Sequence, residues 1–138
     1  MGVYSKLHAE EINCLVSRLV DGVRWLGVFA RDGLLDVTRE IRPWCLILNT
    51  DPKNQAGTHW LALYAPLFGG IELFDSFGFS PNMYSLDVLK PLHSSFSFQS
   101  SSNSVCGHYC IVYIYLCSHN YSLSDIVDFI TNISSRDV

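Results

Sequence analysis

The chain has 138 residues, of which 49% are hydrophobic and 16% charged, and a formal net charge of −4. That length suits one domain, 1–138, built on a single core, and the apolar content excludes intrinsic disorder. No apolar run is long enough to span a bilayer, and no basic block points to a nucleic-acid partner.

The N-terminus lacks a secretory pattern, because Lys6, His8, Glu10 and Glu11 fall where an apolar stretch is required. Gly2 is followed by Lys6 where N-myristoylation needs Ser or Thr, which speaks against lipidation. The five cysteines are an odd number in apolar surroundings. Without a secretion signal they suit a reducing compartment and free thiols, so the expected location is intracellular. The sequons at Asn120 and Asn132 are then chance matches.

Residues 5–20 have the spacing of an amphipathic helix, with Ser5 as a cap and Leu7, Ile12, Leu15, Val16 and Leu19 on one face. A Gly-rich segment follows, with a short strand around Trp25–Phe29. The continuous apolar run WCLILN at 44–49 suits a buried strand. The turn-rich TDPKNQAGT feeds a strand from His59 to about Ala65. Gly69-Gly70 then marks a hairpin into a second strand, Ile71–Asp75. Ser80-Pro81 is a helix start, giving a helix over 81–91 with Leu86 and Leu89 inward. A short strand at 96–98 precedes a serine loop. From Cys106 a helix buries Cys110, Ile111, Ile114, Tyr115 and Cys117, capped by Asn103 or Ser104. A short last helix, DIVDFI, is capped by Ser122 or Ser124. This order predicts an α+β domain, a mainly antiparallel sheet with packed helices.

Four residues supply the parts that thiol-dependent acyl transfer needs. Cys106 stands in the first turn of a helix, where unpaired N–H groups and the helix dipole stabilise a thiolate. His59 opens a strand and would exchange the proton, forming a thiolate–imidazolium pair with Cys106. Asp75 ends the neighbouring strand and would orient His59 as its cross-strand neighbour. Gln99, in the loop before Cys106, would join the backbone N–H of Cys106 as an oxyanion donor. Each residue also has an ordinary structural use. Cysteine packs in cores, as Cys14, Cys45, Cys110 and Cys117 are expected to do, and histidine caps strand edges. Aspartate before serine forms turns, and glutamine is a common loop amide. A zinc site from Cys106, His108, Cys110, Cys117 and His119 lacks the paired C-x₂-C spacing of structural zinc.

Taken together, RWLGVFARD, CLILNT, GTHW, LFDSFGFS and QSSSNSVCG resemble the adenovirus maturation protease family, adenain. LFDSFGFS is similar to that family's LFEPFGFS, which carries the acidic member of its triad. Gln99 precedes Cys106 by seven positions, the family's spacing, with Asn103-Ser104 between them. The likeness spans about residues 20–118 and follows the family's order of His, acid, Cys. It implies the fold shared with SUMO-type proteases and a cysteine endopeptidase that cuts viral structural precursors beside small residues such as Gly. It also implies His59, Asp75 and Cys106 as the triad and Gln99 in the oxyanion hole. Trp60, next to His59, would line the cleft, with core packing as the equal alternative. A ubiquitin-like-protein isopeptidase, or a silent binding module of the same fold, are the other readings.

Several departures qualify the likeness. The acid is Asp rather than Glu. Val88 stands where the family's peptide activator is tethered through a cysteine, so no disulfide-linked activator is expected, although an untethered one fits. DNA as a cofactor suits the acidic balance poorly, and no metal or other cofactor is expected. Only 32 residues follow Cys106, fewer than in the adenovirus enzyme. The remaining expectations are a monomer acting on capsid precursors in the host nucleus or cytoplasm, or in the virion.

Overall fold

The run Trp44–Asn49 has no polar residue before its last position, and every side chain in it is buried. A strand buried on both faces needs cover on each side. The computed structural model describes residues 8–30, 37–50, 59–76, 91–93 and 106–136. In chain order these form α1 (Ala9–Leu19), β1 (Arg24–Ala30), a 3₁₀ turn at Val37–Arg39 and β2 (Trp44–Asn49). Next come β3 (Trp60–Ala65), β4 (Glu72–Phe74), β5 (Leu92–His93), α2 (Cys106–Ser118) and α3 (Leu123–Arg136). The architecture is α+β, as expected. One five-stranded sheet has its strands in sequence order, with α2 packed on β3 and α1 and α3 packed on α2.

The sheet is mixed rather than mainly antiparallel. The central pairs, β2–β3 and β3–β4, are antiparallel, while β1–β2 and β4–β5 at the edges are parallel. Connection length accounts for this. The short loop 66–71 can only reverse the chain, whereas 31–43 and 75–91 are long enough for a crossover that restores its direction. Arg42 fixes the short loop from outside, donating from Nη1 to the carbonyls of Pro66 and Gly69. The strand β5 was not anticipated from the sequence.

Side chains alternate between two clusters. Cys45, Ile47, Trp60, Ala62 and Phe74 face α2, together with Ile12 and Val16 of α1 and Ile126 and Ile130 of α3. Trp44, Leu46, Leu48, Leu61, Leu63 and Leu73 face the other way, against Val37 and Ile71. Each side chain of this size contributes about 1.5–3 kcal/mol on burial. The exposed Arg24–Glu40 pair, at 3.9 Å, adds at most about 1 kcal/mol, so apolar burial holds the sheet. In β1 the register slips between Trp25 and Val28. The slip keeps Trp25 and Val28 on the α2 side and Leu26 and Phe29 on the other. Gly27 takes up the extra residue with φ +119°, a conformation that a Cβ disfavours.

The helices differ in detail from expectation. α1 begins at Ala9 because His8 is extended; the His8 N–H donates to Glu11 at 3.1 Å. Only Ile12 and Val16 of α1 are fully buried, while Leu15 and Leu19 stay about two-fifths exposed. In α2, Tyr113 is the buried tyrosine and Tyr115 is 40% exposed. The chain leaves α2 through Asn120 (φ 68°), with Tyr121 N–H bonded to Leu116 O and Asn120 N–H to Cys117 O. Ser122 caps α3 as expected, accepting from the Asp125 N–H at 3.1 Å, but that helix is fourteen residues rather than short. Ser5, Leu7, residues 81–90 of the expected helix, the strand at 96–98 and the caps Asn103 and Ser104 lie outside the described residues, and Pro91, the last residue expected in that helix, is not helical. No helix among the described residues is long and apolar enough to cross a membrane.

Candidate active site

Apart from tyrosines and thiols, four polar side chains are buried among the described residues: Asn49, His59, Asp75 and Ser76. All four sit at one end of the sheet. Asn49 closes β2, His59 immediately precedes β3, and Asp75 and Ser76 immediately follow β4. Burying polar groups costs free energy unless they are bonded, so their gathering at one edge marks that edge as special. The Thr50 N–H donates to the His59 carbonyl at 3.0 Å and pins the start of β3 to the end of β2.

His59 Nε2 and Asp75 Oδ1 are 2.7 Å apart, with side chains 9% and 1% exposed. With the carboxylate ionised, Nε2–H is the donor. The pair is diagonal rather than directly opposite. Ala62 pairs with Phe74 and Leu63 with Leu73, so extending the ladder by one residue sets Asp75 against Leu61, two positions past His59. Both residues stand just outside the strands, beyond the last ladder pair, where a diagonal offset is within reach of a side chain as long as histidine.

The helix α2 points its N-terminus at this end of the sheet. Cys110 Sγ donates to the Trp60 carbonyl at 3.3 Å, at the start of β3. Further along, Tyr113 stacks on Phe74 (centroids 4.8 Å, 10°) and donates its hydroxyl to Glu72 Oε1 at 2.8 Å. The helix therefore runs along β3 in the same direction. Cys106 opens it four residues before Cys110, about 6 Å further toward the end that holds His59 and Asp75. No acidic residue occupies that first turn, so nothing there opposes the positive end of the helix dipole.

The other thiols divide by environment. Burial pushes the Cys45 thiol up to about 12, and burial raises Cys117 as well, against a smaller opposing hydrogen bond from Tyr113. Both stay protonated and packed at neutral pH. Cys110 is buried, whereas Cys14, also expected in the core, is exposed on α1. Half-burial raises the Glu72 carboxyl above its usual range, again against a smaller effect of its bond from Tyr113.

Of the residues singled out from sequence, His59 and Asp75 are in contact, and Cys106 begins the helix whose N-terminus lies toward their end of the sheet. Trp60 is 5% exposed and lies within the α2-side core. Gln99 and Val88 lie outside the described residues. Asn49 and Ser76 were not singled out, although Asn49 is the one polar side chain of its strand and Ser76 adjoins Asp75. No group of three or more His, Cys, Asp or Glu side chains among the described residues could hold a metal ion.

The chain is similar to a viral protease. It is 25% identical over 127 residues to a protein described as protease from Bovine adenovirus B serotype 3, in a match covering 77% of this chain and 62% of the relative. The chain thus spans about three-fifths of that relative's length. Among solved structures, the central domain of the uncharacterized Lpg1148 protein from Legionella pneumophila has a similar fold. The TM-score is 0.55 at 14% identity, covering 96% of this chain and 90% of that one. No family model matches the sequence.

Proposed function

We propose that this protein is a cysteine endopeptidase in which Cys106, His59 and Asp75 form the catalytic triad and Gln99 completes the oxyanion hole. The observation that carries this reading is the buried His59–Asp75 hydrogen bond of 2.7 Å at the end of the sheet toward which α2 points. The similarity to an adenovirus protease supports the same chemistry.

Asp75 engages Nε2 of His59, which assigns proton transfer to the other ring nitrogen, Nδ1. Nδ1 holds the Cys106 proton in a thiolate–imidazolium pair, and the thiolate attacks the scissile carbonyl. The resulting oxyanion is held by the Cys106 backbone N–H and the Gln99 side-chain amide. The imidazolium then protonates the departing amine, leaving an acyl-enzyme. Water, deprotonated by His59, attacks the thioester, releases the carboxylic acid and returns the proton to sulfur. The substrates are viral structural precursors, cut beside small residues such as Gly.

The test is incubation of the purified protein with candidate capsid precursors, followed by sequencing of the new termini, with the Cys106→Ala protein in parallel. The expected result is cleavage beside small residues that disappears in the variant. Cleavage by Cys106→Ala at the parental rate would sink the assignment. Cleavage of ubiquitin-family probes in preference to the precursors would replace endopeptidase with isopeptidase.

A further inference from the structure

Helices α1, α2 and α3 present a continuous apolar face on the side away from the sheet. Leu19, Val112, Tyr115 and Phe129 line a groove across it, and the groove continues past Leu116 to Tyr121 and Asp125. Leu15 extends the face by one turn of α1. These side chains are strongly exposed for their type: Leu15 40%, Leu19 42%, Val112 36%, Tyr115 40%, Tyr121 52% and Phe129 47%. With about 150–250 Å² for a large side chain, they leave roughly 500 Å² of contiguous apolar surface in water. The largest apolar patch of a typical monomer spans about 300–600 Å² and often marks a working surface.

We propose that this face is the interface of a two-fold homodimer, in place of the monomer expected from the sequence. Two features favour a second copy of this chain as the occupant. The first is size. Two such faces meeting remove about 1,000 Å² of apolar surface from water before any polar rim is counted, which reaches the threshold for a specific interface.

The second feature is charge. A two-fold contact must be self-complementary, so that what one edge of the face offers the opposite edge accepts. Arg18 stands exposed beside Leu19 on the α1 edge, and Asp125 stands exposed on the α3 edge, lining the groove. Leu19 shares one part of the groove with Leu116 and Asp125 shares the adjoining part, which sets both charges toward the Leu116 end of α2. A two-fold axis running along α2 lays α1 of one copy over α3 of the other and brings Arg18 to Asp125 twice. The groove lies beyond the first turn of α2, so this pairing leaves the His59–Asp75 end of the sheet open.

Sedimentation equilibrium of the full chain over a range of concentrations tests the proposal. The expected result is a reversible dimer. Phe129→Asp and Tyr115→Glu should each sediment as monomers with unchanged circular dichroism. Should either fail to fold, charge reversal at the exposed rim is the second arm. Arg18→Asp and Asp125→Arg should each weaken the dimer roughly tenfold or more. The double variant Arg18→Asp/Asp125→Arg should restore it. A parental protein that stays monomeric at its highest workable concentration would overturn the proposal, whether or not it captures another polypeptide. A dimer that survives every one of these changes would place the interface elsewhere and overturn it equally.

Discussion

His59 and Asp75 are the clearest chemistry in the molecule, and their contact makes separable predictions. Asp75→Asn keeps the size of the side chain but removes the charge that stabilises an imidazolium. Steady-state kinetics on a cleaved peptide should show kcat reduced by roughly 10²–10⁴-fold with KM little changed. An unchanged kcat would remove Asp75 from the mechanism. Glu72 makes a different prediction. Its carboxyl is raised by burial, so between the ordinary carboxylate value and the raised one the folded state holds more protons than the unfolded state. Stability must therefore fall as pH rises through that window, being fully present below it. Glu72→Gln keeps an acceptor for the Tyr113 hydroxyl and has no charge to lose. Urea melts at several pH values should show a flatter profile for the variant; parallel profiles would contradict the assignment. The residue types at the site were legible because a His opening a strand and an Asp closing the next are unusual in an apolar sheet. Their diagonal pairing was not, because register depends on where the ladder starts rather than on either residue. Asn49 escaped notice because its five predecessors read as ordinary buried strand.

At the scale of elements, the hairpin between α2 and α3 turns on two residues, separated by one other, with different tasks. Asn120 holds a left-handed backbone that closes α2, and Ser122 satisfies an N–H that α3 would otherwise leave unbonded. Asn120→Ala should cost about 1 kcal/mol because alanine resists that conformation, while Asn120→Gly should be neutral or slightly stabilising. Ser122→Ala should cost about 1 kcal/mol through the lost cap. Equilibrium urea denaturation measures all three, and a Gly variant as damaged as the Ala variant would mean that side-chain contacts matter more than backbone conformation. Ser122 was visible in the sequence as a cap before an amphipathic helix. The inward face of α2 was not. Apolar residues surround that helix on nearly every side, so spacing alone could not choose Tyr113 over Tyr115. What chooses is the partner across the gap, since Tyr113 meets both the ring of Phe74 and the carboxyl of Glu72. The strands β2 and β3 were legible for the opposite reason, because a short run without polar interruptions fits a strand covered on both faces.

For the molecule as a whole, the cysteines report how closely the layers are held together. Cys45 lies on the sheet and Cys110 and Cys117 lie on α2, all within the cluster between them, so no one of them can reach solvent without separating helix from sheet. Their reactivity should follow global unfolding, and Cys45, with its thiol pushed up to about 12 by burial, holds almost no thiolate at neutral pH while the fold is intact. Cys14 is already exposed, and the proposed mechanism needs Cys106 to be accessible as well. Alkylation of the native protein at neutral pH, read by peptide mass mapping, should therefore label Cys14 and Cys106 and spare the other three. In Cys14→Ser a single fast thiol should remain, and it should map to Cys106. Adding urea should release Cys45, Cys110 and Cys117 together, over the same concentration range as the loss of circular dichroism. Early labelling of Cys117 alone would mean that the end of α2 opens independently of the sheet. A Cys14→Ser protein with no native-state labelling at all would leave the proposed mechanism without an attacking sulfur, and that chemistry would fail even though the fold that frames it stood.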